Sequence, residues 1–470
     1  MLERPRTVAV VGGGFSGAVF ALKLHQANPD WRIVVIDPGR RLGRGLAYGA
    51  CDPLHFLNVP VSRMEVGLQP GFGAWLDGRW TEAGVGSDLS GAFVPRALFG
   101  DYMQERLCQA LDPRSIRGLT AVRGEVVSML VHHRGVLLTD GREVAADMVV
   151  LAMGNLPPRP PGGPDPWLYD TSFYIPDPWA GDAFNDVAPD ETLLLVGSGL
   201  TMVDVALRLS ANGHRGAMLA VSRRGLLPRR HAAGGTWPEF LSCHSGASPG
   251  DLTRLVRREL AQAAASGVPW QRVFDAARPA VPGIWHGWSA AHRAQFARHL
   301  RTRWDVHRHR MAPRVDDALR RLLDAGKLQV IAGRLAGYDA AGRWVDTTLR
   351  LRNGTERIFR AGRVINCTGP GASFDRIAVP LIADLRARGL AVADPLGVGL
   401  LTEDCAVIDH GGRPSSWLFA LGPLTRPDWW EITAVPEINL QVDRLVIHLS
   451  QSDLAPALTA ADFLSMGEGI

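Results

Sequence analysis

The apolar and polar positions at the start of the chain predict a strand, a helix and a second strand. Thr7–Val11 and Arg32–Ile36 are short apolar runs rich in β-branched residues. Gly12, Gly14 and Gly17 form G-x-G-x-x-G where the first strand must turn into the helix. In such a turn a pyrophosphate approaches the backbone and faces the helix N-terminus. The pattern predicts a dinucleotide site, and the alternative is a merely structural glycine turn.

An acid completes this first motif. Asp37 ends the second strand, 20 positions after Gly17. A carboxylate at that place can accept hydrogen bonds from a ribose hydroxyl. Strand, turn, helix, second strand and acid therefore fall in register, which is more specific than a glycine-rich turn alone.

A second motif of the same kind begins at Glu191. Thr192–Val196 and Met218–Val221 are apolar strands that flank Gly197, Gly199 and a helix. Met202 stands where the third glycine would be, so we expect this helix to lie slightly further from its strand.

The end of this second strand carries no acid. Ser222, Arg223 and Arg224 follow it, and an arginine there can hold an adenosine 2′-phosphate. We predict a nicotinamide site that favours NADPH. The alternative is two solvated arginines, in which case NADH would serve equally well.

Two segments near the first motif are candidates for cofactor contacts. In the Gly- and Pro-rich stretch after Asp37, Arg40–Gly45 is expected along the phosphates and Asn58–Met64 near the reactive ring. The alternative is an ordinary surface loop. A helix is predicted from the Phe93–Tyr102 segment to about Leu111, with Pro95 in its first turn and Arg96 near a phosphate or in solvent.

Several predicted strands end in a glycine, which lets backbone come close to a cofactor. Gly154 follows such a strand directly before a proline cluster, and Gly369 follows another. Near the C-terminus, a strand leads to Gly422 and then to a helix that begins near Val435, preceded by Ala434. A helix N-terminus carries partial positive charge, which would favour a reduced flavin if it pointed at a carbonyl of the flavin ring. The alternative is a plain docking helix at the C-terminus.

The order of these elements predicts an α/β fold with two Rossmann-like dinucleotide-binding domains, the second inserted in the first. We assign 1–165 and 355–470 to the first domain and 185–354 to the second. The segment from about 235 to 325 reads as a helical insertion in the second domain and one wall of a substrate pocket. Its histidines lack acid or cysteine partners at matching spacing, so we predict no metal.

Composition narrows the class of protein. A chain of 470 residues with 46% hydrophobic and 21% charged residues is typical of a soluble protein of two or three domains. The five cysteines are scattered without a C-x-x-C, which argues against disulfides, zinc or a dithiol and favours the cytoplasm. The net charge of +4 comes without a compact basic run, and no long apolar stretch occurs, so we expect neither nucleic-acid binding nor a membrane span.

The motifs together resemble the FAD/NAD(P)-binding family of two-dinucleotide flavoproteins that includes flavin-dependent urate hydroxylases and aspartate N-hydroxylases. Besides the two glycine turns, the resemblance rests on short motifs spread over the chain: AYG (47–49), LNVP (57–60), PR (95–96), LAMGN (151–155), SRRG (222–225), HRHRMAP (307–313) and AVPEI (434–438). These are cofactor motifs, so they say little about the substrate.

The resemblance implies FAD in the first domain and NADPH or NADH in the second. The residues implied around FAD are Gly12, Gly14, Ser16, Gly17 and Asp37, with Asn58 and Met64 near the ring. Those implied around NAD(P)H are Gly197, Gly199, Thr201, Ser222 and Arg223. We further predict cofactor contacts for Phe15, Arg96, Gly154, Arg224, Gly369, Gly422 and Ala434. No motif identifies a catalytic acid or base.

The resemblance further implies a monooxygenase that transfers hydride to FAD and delivers one oxygen atom of O₂ through a C4a-hydroperoxyflavin. Our first candidate is 5-hydroxylation of urate, and the alternative is N-hydroxylation of an amine such as aspartate. A flavin reductase without oxygen insertion and a non-catalytic redox sensor are further alternatives. Arg230, His231 and Arg308 are the candidate substrate ligands, because such donors can neutralise an anion. We expect a small-molecule substrate and no protein partner.

Overall fold

The computed structural model describes residues 6–49, 52–81, 88–112, 114, 117–161, 167–242, 244, 246–371, 374, 377 and 379–451. The chain divides into two compact units. The first comprises Met1–Gly49, Pro60–Leu156 and Ala372–Ile470, and the second comprises Ala50–Val59 and Pro157–Gly371. The second unit is thus inserted in the first, as predicted.

Strands and helices alternate through most of the described residues. The strands are β1 (Thr7–Val11), β2 (Arg32–Asp37), β3 (Gly118–Arg123), β4 (Val126–Met129), β5 (Gly135–Leu138), β6 (Glu143–Ala145), β7 (Met148–Leu151), β8 (Tyr174–Ile175), β9 (Leu193–Val196), β10 (Met218–Ser222), β11 (Leu328–Ala341), β12 (Trp344–Leu351), β13 (Glu356–Ala361), β14 (Arg363–Asn366), β15 (Thr402–Glu403), β16 (Ala406–Ile408) and β17 (Pro414–Ala420). The α-helices are α1 (Phe15–Ala27), α2 (Gly45–Gly49), α3 (Phe72–Leu76), α4 (Arg96–Ala110), α5 (Leu200–Ala211), α6 (Pro249–Ala265), α7 (Trp270–Ala277), α8 (Val281–Gly287), α9 (Ala290–His299), α10 (Arg301–Arg308), α11 (Pro313–Asp324), α12 (Pro380–Ala387) and α13 (Val435–Gln451).

The first unit is built on a sheet with the order β15-β16-β17-β7-β1-β2-β3. Five consecutive strands, β17, β7, β1, β2 and β3, are parallel, and β3 is at the edge. Val8–Val10 of β1 are fully buried, because a parallel sheet carries other elements on both faces and so needs apolar residues throughout. Between β3 and β7 the chain forms the small antiparallel sheet β4-β5-β6.

The N- and C-terminal ends of the first unit meet through two helices. α1 packs along α13, and the ammonium of Lys23 donates to Asn439 Oδ1 at 2.8 Å and to Asp443 Oδ1 at 2.5 Å. These bonds join residues more than 400 positions apart, so the C-terminal segment completes the first nucleotide-binding unit.

The second unit repeats the parallel core. Its sheet has the order β13-β12-β11-β10-β9-β14-β8, in which β11, β10, β9, β14 and β8 are parallel and β11-β12-β13 form an antiparallel meander. The predicted helical insertion is the connection between the neighbouring strands β10 and β11, and α6 to α11 lie within it. The predicted α/β fold with two Rossmann-like units is confirmed.

Three segments assigned to the first domain lie in the second unit. Residues 355–371 are one of them, because β13 pairs with β12 and β14 pairs with β9 in the second sheet. Residues 50–59 and the end of the segment 1–165, from Pro157 onward, are the other two. A further difference is local: the helix predicted in the Phe93–Tyr102 segment begins at Arg96, and Pro95 precedes it as the cap residue.

Candidate functional site

The glycines of the first turn are required by close packing. Gly12 has φ +105°, and a Cβ atom there would overlap the carbonyl oxygen of Ala152, which follows β7. A Cβ atom on Gly17 would overlap the carbonyl oxygen of Gly12. Only glycine lets α1 and β7 approach the turn this closely.

The N-terminus of α1 is suited to an anion. Gly14 is the cap residue, and no side chain among the described residues caps the helix. The first N–H groups of a helix have no partner within it, and the helix dipole adds partial positive charge there. The ring of Phe15 packs against Tyr48 and Phe99, with centroid distances of 6.1 and 5.6 Å, so its side chain fixes the helix while its backbone lies in the first turn.

Asp37 fixes the glycine turn from the end of β2. Its Oδ2 atom accepts the Gly13 N–H at 2.7 Å, and its Oδ1 atom accepts the Gly39 N–H at 2.7 Å. A carboxylate has about four acceptor positions, so these two bonds leave capacity for ribose hydroxyls. The predicted role of Asp37 is compatible with this geometry.

The segment Arg40–Gly45 lies against the turn. The Gly43 N–H donates to the Gly13 carbonyl at 2.7 Å, and Gly45 Cα lies 3.2 Å from the place of a Cβ atom on Gly14. Arg44 is paired with Asp101 and donates to Gln104 Oε1 at 2.6 Å. Its charge therefore serves to hold this segment against α4.

Gly422 is brought to the same turn from the C-terminal part of the chain. It has φ +70°, and a Cβ atom there would lie 2.8 Å from Ser16 Oγ. Ser16 itself is buried in the first turn of α1. Two predicted residues far apart in sequence thus meet at one helix N-terminus.

The other residues predicted around FAD occupy varied places. Met64 is buried in the first unit, whereas Asn58 belongs to the second unit. Arg96 is the half-buried first residue of α4, and Ala434 accepts the Ile438 N–H at 3.0 Å at the start of α13. Their contacts with a cofactor stay predictions.

The second unit repeats the first turn closely. Gly197 has φ +127°, and a Cβ atom there would overlap the carbonyl oxygen of Cys367, which follows β14. The Gly197 N–H donates to Val221 O at 2.8 Å, as the Gly12 N–H donates to Ile36 O at 2.8 Å. The two turns therefore have the same packing and the same hydrogen bond to the neighbouring strand.

The N-terminus of α5 matches that of α1. Gly199 is its cap residue without a side-chain cap from the described residues, and none of their atoms lies within 4 Å of a Cβ placed on Gly199. Thr201 is half-buried in the first turn. Met202 is fully buried, and the larger distance predicted between helix and strand stays a prediction.

Two glycines after strand ends also leave open space. Gly154 and Gly369 have φ +68° and +83°, and among the described residues no atom lies within 4 Å of a Cβ built on either. Beside Gly369, the amide of buried Asn366 accepts the Thr368 hydroxyl at 2.7 Å and donates to Arg159 O at 2.8 Å. Asn366 therefore fixes the turn that follows β14.

Ser222 stands at the place that Asp37 has in the first unit. The Ser198 hydroxyl donates to the Leu226 carbonyl at 2.6 Å, so its 2.7 Å bond to Ser222 must use the Ser222 hydrogen. Ser222 Oγ also accepts the Gly225 N–H at 3.0 Å. Its hydroxyl thus fixes the turn at 222–226 without adding a negative charge.

The two arginines of this turn differ. Arg224 donates to the carbonyl oxygens of His299 at 3.0 Å and Arg298 at 3.4 Å, and so caps the C-terminus of α9. Arg223 is exposed, and within the described part of the chain its guanidinium has neither a hydrogen bond nor an ion pair. The geometry favours Arg223 over Arg224 as a ligand of a phosphate.

The predicted substrate residues have partners within the second unit. Arg230 is paired with Asp317 and lies 3.4 Å from Asp316 Oδ2. His231 donates from Nε2 to the carbonyl of Asn58 at 2.7 Å, and Arg308 is buried. Their role toward a substrate stays a prediction, and these contacts give them structural roles.

Burial, with smaller contributions from Arg310 and Arg272, lowers the pKa of His231 to about 4, against the opposing effects of its bond to Asn58 and of the nearby Asp275. The imidazole is therefore neutral at pH 7. Its Nε2 nitrogen must carry the hydrogen, because a carbonyl oxygen can only accept.

A second histidine was not singled out from the sequence. His55 is buried, accepts the Asp52 N–H at Nδ1 at 3.1 Å, and donates from Nε2 to Asp204 O at 3.2 Å. Arg314 lies over the ring of Phe56, 4.2 Å from its centroid. Together with His231, these contacts hold the segment 52–59 in the second unit. In the sequence, the only signal for His55 is a histidine within an apolar run.

The two buried cysteines of the described residues, Cys367 and Cys405, are not activated. Burial raises the pKa of the Cys367 thiol above its usual range and that of Cys405 to about 12. Both thiols are protonated at neutral pH and are poor nucleophiles. Among the described residues no group of three histidine, cysteine or acidic side chains is arranged to hold a metal ion. None of their helices has the length and hydropathy of a membrane span.

A family comparison agrees with the first turn. Residues 9–156 match the model of a family described as FAD-NAD(P)-binding. The matched segment contains β1, the glycine turn, Asp37 and Gly154. The first unit therefore carries an FAD/NAD(P)-binding domain, which confirms the resemblance there. A search of curated proteins by sequence finds no match.

Solved structures match almost the whole chain. The ornithine N-hydroxylase of Kutzneria sp. 744, titled with reduced FAD, NADP⁺ and L-ornithine, has a TM-score of 0.63 at 14% identity and covers 95% of this chain and 99% of its own. L-lysine 6-monooxygenase of Pseudomonas syringae has a TM-score of 0.64 at 16% identity, with coverage of 95% and 100%. The FAD-bound cadaverine monooxygenase of Erwinia amylovora has 0.63 at 12% identity, with 97% of both chains covered.

These matches establish the two-dinucleotide flavoprotein fold over the full length of the neighbours. At such low identity they show the fold and not the substrate. The three neighbours are, by their titles, an ornithine N-hydroxylase, a lysine monooxygenase and a cadaverine monooxygenase.

Proposed function

We propose that this protein is an FAD- and NADPH-dependent monooxygenase that hydroxylates the amine nitrogen of a small molecule. The observation that supports the two cofactors is the repetition of one nucleotide-binding turn in two units that differ in charge at the strand end. The choice of an amine is supported by the three matched structures, whose titles name ornithine, lysine and cadaverine. The first unit has Asp37 and the second has Ser222 with the exposed Arg223. An acid suits ribose hydroxyls, and an arginine suits a 2′-phosphate.

The residues present fit the two cofactors. Each of α1 and α5 offers a glycine-capped N-terminus, and Gly154, Gly199 and Gly369 leave room for close approach. FAD would lie against Gly12, Gly14, Ser16, Gly17 and Asp37, and NADPH against Gly197, Gly199, Thr201 and Arg223. When bound, the flavin supplies the redox chemistry, taking hydride from NADPH and activating O₂.

The overall reaction would be that of an amine with O₂, NADPH and a proton, giving the hydroxylamine, NADP⁺ and water. The chain contributes binding and orientation, since the buried thiols of Cys367 and Cys405 are protonated and no acid or base is identified. A reductase that passes electrons to a dithiol is disfavoured, because the sequence contains no C-x-x-C. Cytoplasmic location stays a prediction.

The test measures NADPH oxidation and product together. Purified protein that contains FAD is incubated with NADPH and O₂, without substrate and with ornithine, lysine, cadaverine, aspartate or urate. We expect at least one amine to accelerate NADPH oxidation and to gain one oxygen atom by mass spectrometry. Catalase and a hydrogen peroxide assay separate hydroxylation from uncoupled oxidation.

The result also distinguishes the alternatives. A gain of oxygen on urate alone would restore the hydroxylase of our first candidate. NADPH oxidation that is unchanged by every substrate, with rapid reduction of quinones or dyes, would identify a reductase and overturn the proposal.

A further inference from the structure

Three hydrogen bonds connect Gly422 with Thr425 and Gln441. Gln441 of α13 accepts the Gly422 N–H at Oε1 at 2.8 Å and donates from Nε2 to Thr425 Oγ1 at 2.7 Å. The Thr425 hydroxyl in turn donates to the Gly422 carbonyl at 2.9 Å. We name Gly422, Thr425 and Gln441 the Gly422 brace.

The brace is fully enclosed by protein. Thr425 and Gln441 are both 0% exposed, and Gly422 is buried. The Gly422 N–H and the Gly422 carbonyl are both bonded within the brace, and the Gln441 side chain also interacts with the buried Cys405. A buried amide that satisfies two partners with good geometry is costly to remove, because it leaves both partners unpaired.

The brace decides what Gly422 presents to α1. The Gly422 N–H is bonded to Gln441, and the Gly422 carbonyl is bonded to Thr425. The Cα methylene of Gly422 is therefore the group that faces Ser16. A carbonyl oxygen turned toward the first turn of α1 would place negative partial charge beside an anion site. The brace keeps that oxygen away.

We propose that Gln441 and Thr425 are positioning residues that hold the Gly422 peptide so that the N-terminus of α1 can receive the diphosphate of FAD. The inference rests on the proposed function. Neither residue needs to touch the cofactor, since each acts through the Gly422 backbone. Their positions, 425 and 441, lie outside every glycine motif of the chain.

The test compares T425V, T425S and wild-type holoenzyme. Valine keeps the volume but removes the hydroxyl, whereas serine keeps the hydroxyl. FAD release is followed by flavin fluorescence after serial dilution. We expect T425V to raise the dissociation constant for FAD about tenfold and T425S to restore nearly wild-type affinity.

T347V is the matched control. Thr347 in the second unit is also 0% exposed and donates its hydroxyl to a backbone carbonyl, Phe359 O, at 2.7 Å. We expect T347V to lower thermal stability as T425V does and to leave FAD affinity unchanged. If T425V does not fold, Q441M, which keeps the side-chain length and removes both bonds, takes its place.

The outcomes are distinct. Equal FAD release from T425V and wild type, or equal weakening by T425V and T347V, overturns the inference while leaving the proposed function intact. A wild-type protein that contains no FAD and takes none up overturns the proposed function, and the inference falls with it.

Discussion

Asp37 and Ser222 occupy matching places at the ends of β2 and β10 and differ in charge. Asp37 binds two backbone N–H groups of its turn, and Ser222 binds one backbone N–H and the Ser198 hydroxyl. Both residues therefore stabilise the local turn. Only the aspartate adds a negative charge, which would repel the 2′-phosphate of NADPH.

Arg223 is the residue that should separate NADPH from NADH. We expect R223A to raise the KM for NADPH at least tenfold with little change in kcat, because an exposed ion pair with phosphate is lost. The KM for NADH should not change. Steady-state kinetics with both nucleotides measure this.

R257A is the matched control for R223A. Arg257 is an exposed arginine of α6 in the same unit, so its removal causes the same change in net charge. Equal effects of R223A and R257A would mean that the charge acts at long range and not at a phosphate site.

His231 should make stability depend on pH. Its pKa is about 4 in the folded protein and about 6.5 when unfolded. Below pH 6.5 the unfolded state takes up a proton that the folded state does not, so stability falls as pH decreases toward 4 and is unaffected by this group above pH 7.

Between pH 7 and pH 4.5 we expect the free energy of unfolding to fall about 2 kcal/mol less in H231Q than in wild type. Glutamine can donate to Asn58 O but does not titrate. Urea unfolding at the two pH values measures the difference. If wild type and H231Q lose stability in parallel, the imidazole does not titrate as proposed.

At the scale of elements, the insertion between β10 and β11 is held by a buried charge. Arg310 is 2% exposed and donates to Asp275 Oδ1 at 2.7 Å and to Gln271 O at 3.2 Å. This pair joins the chain after α10 to α7. Burial lowers the pKa of Arg310, and Asp275 opposes that effect.

Removing the partner of this buried cation should be costly. We expect D275N to lower the free energy of unfolding by about 3 kcal/mol, because it leaves Arg310 desolvated without a counter-charge. The double variant D275N/R310M should recover part of the loss. Urea unfolding followed by circular dichroism measures each variant.

D346N is the control for D275N. Asp346 has a similar side-chain exposure, 23% against 29%, but its partner Arg360 is 61% exposed. Its loss should cost less than about 1 kcal/mol. Equal losses of unfolding free energy in D275N and D346N would show that the burial of Arg310 does not increase the loss.

At the scale of the whole molecule, the two turns should serve two separable tasks. We expect G197A to retain FAD and to lose reduction by NADPH, because the new Cβ atom would overlap Cys367 O in the second unit alone. G17A should lose FAD, since its Cβ atom would overlap Gly12 O. The absorbance spectrum of each purified variant measures bound FAD. Spectra after NADPH, and then after dithionite, measure how much of that FAD is reduced by NADPH.

G181A controls for glycine replacement in the second unit. Of the described residues none has an atom within 4 Å of a Cβ on Gly181, so NADPH should still reduce the flavin. Loss of FAD from G197A would contradict the separation of tasks.

The repeated motif made the fold predictable. Glycine spacing and apolar runs are local properties, and they located β1, α1, β2, β9, α5 and β10 correctly. The boundary at residue 355 was misplaced because β13 and β14 are joined to the second sheet by pairing, which leaves no signal in their own sequences. Residues 50–59 were misplaced for the same reason, since His55 and His231 bind carbonyl groups far away in sequence.

The sequence by itself determined the two nucleotide-binding turns, because a glycine with positive φ and a strand-end residue act within one short segment. Only the tertiary structure decided which arginine of 223 and 224 is left exposed, since the partner of Arg224 is the distant end of α9. It also decided that Gly422 meets Ser16 and is held by Gln441, because hydrogen bonds between remote segments depend on the packing of the whole unit.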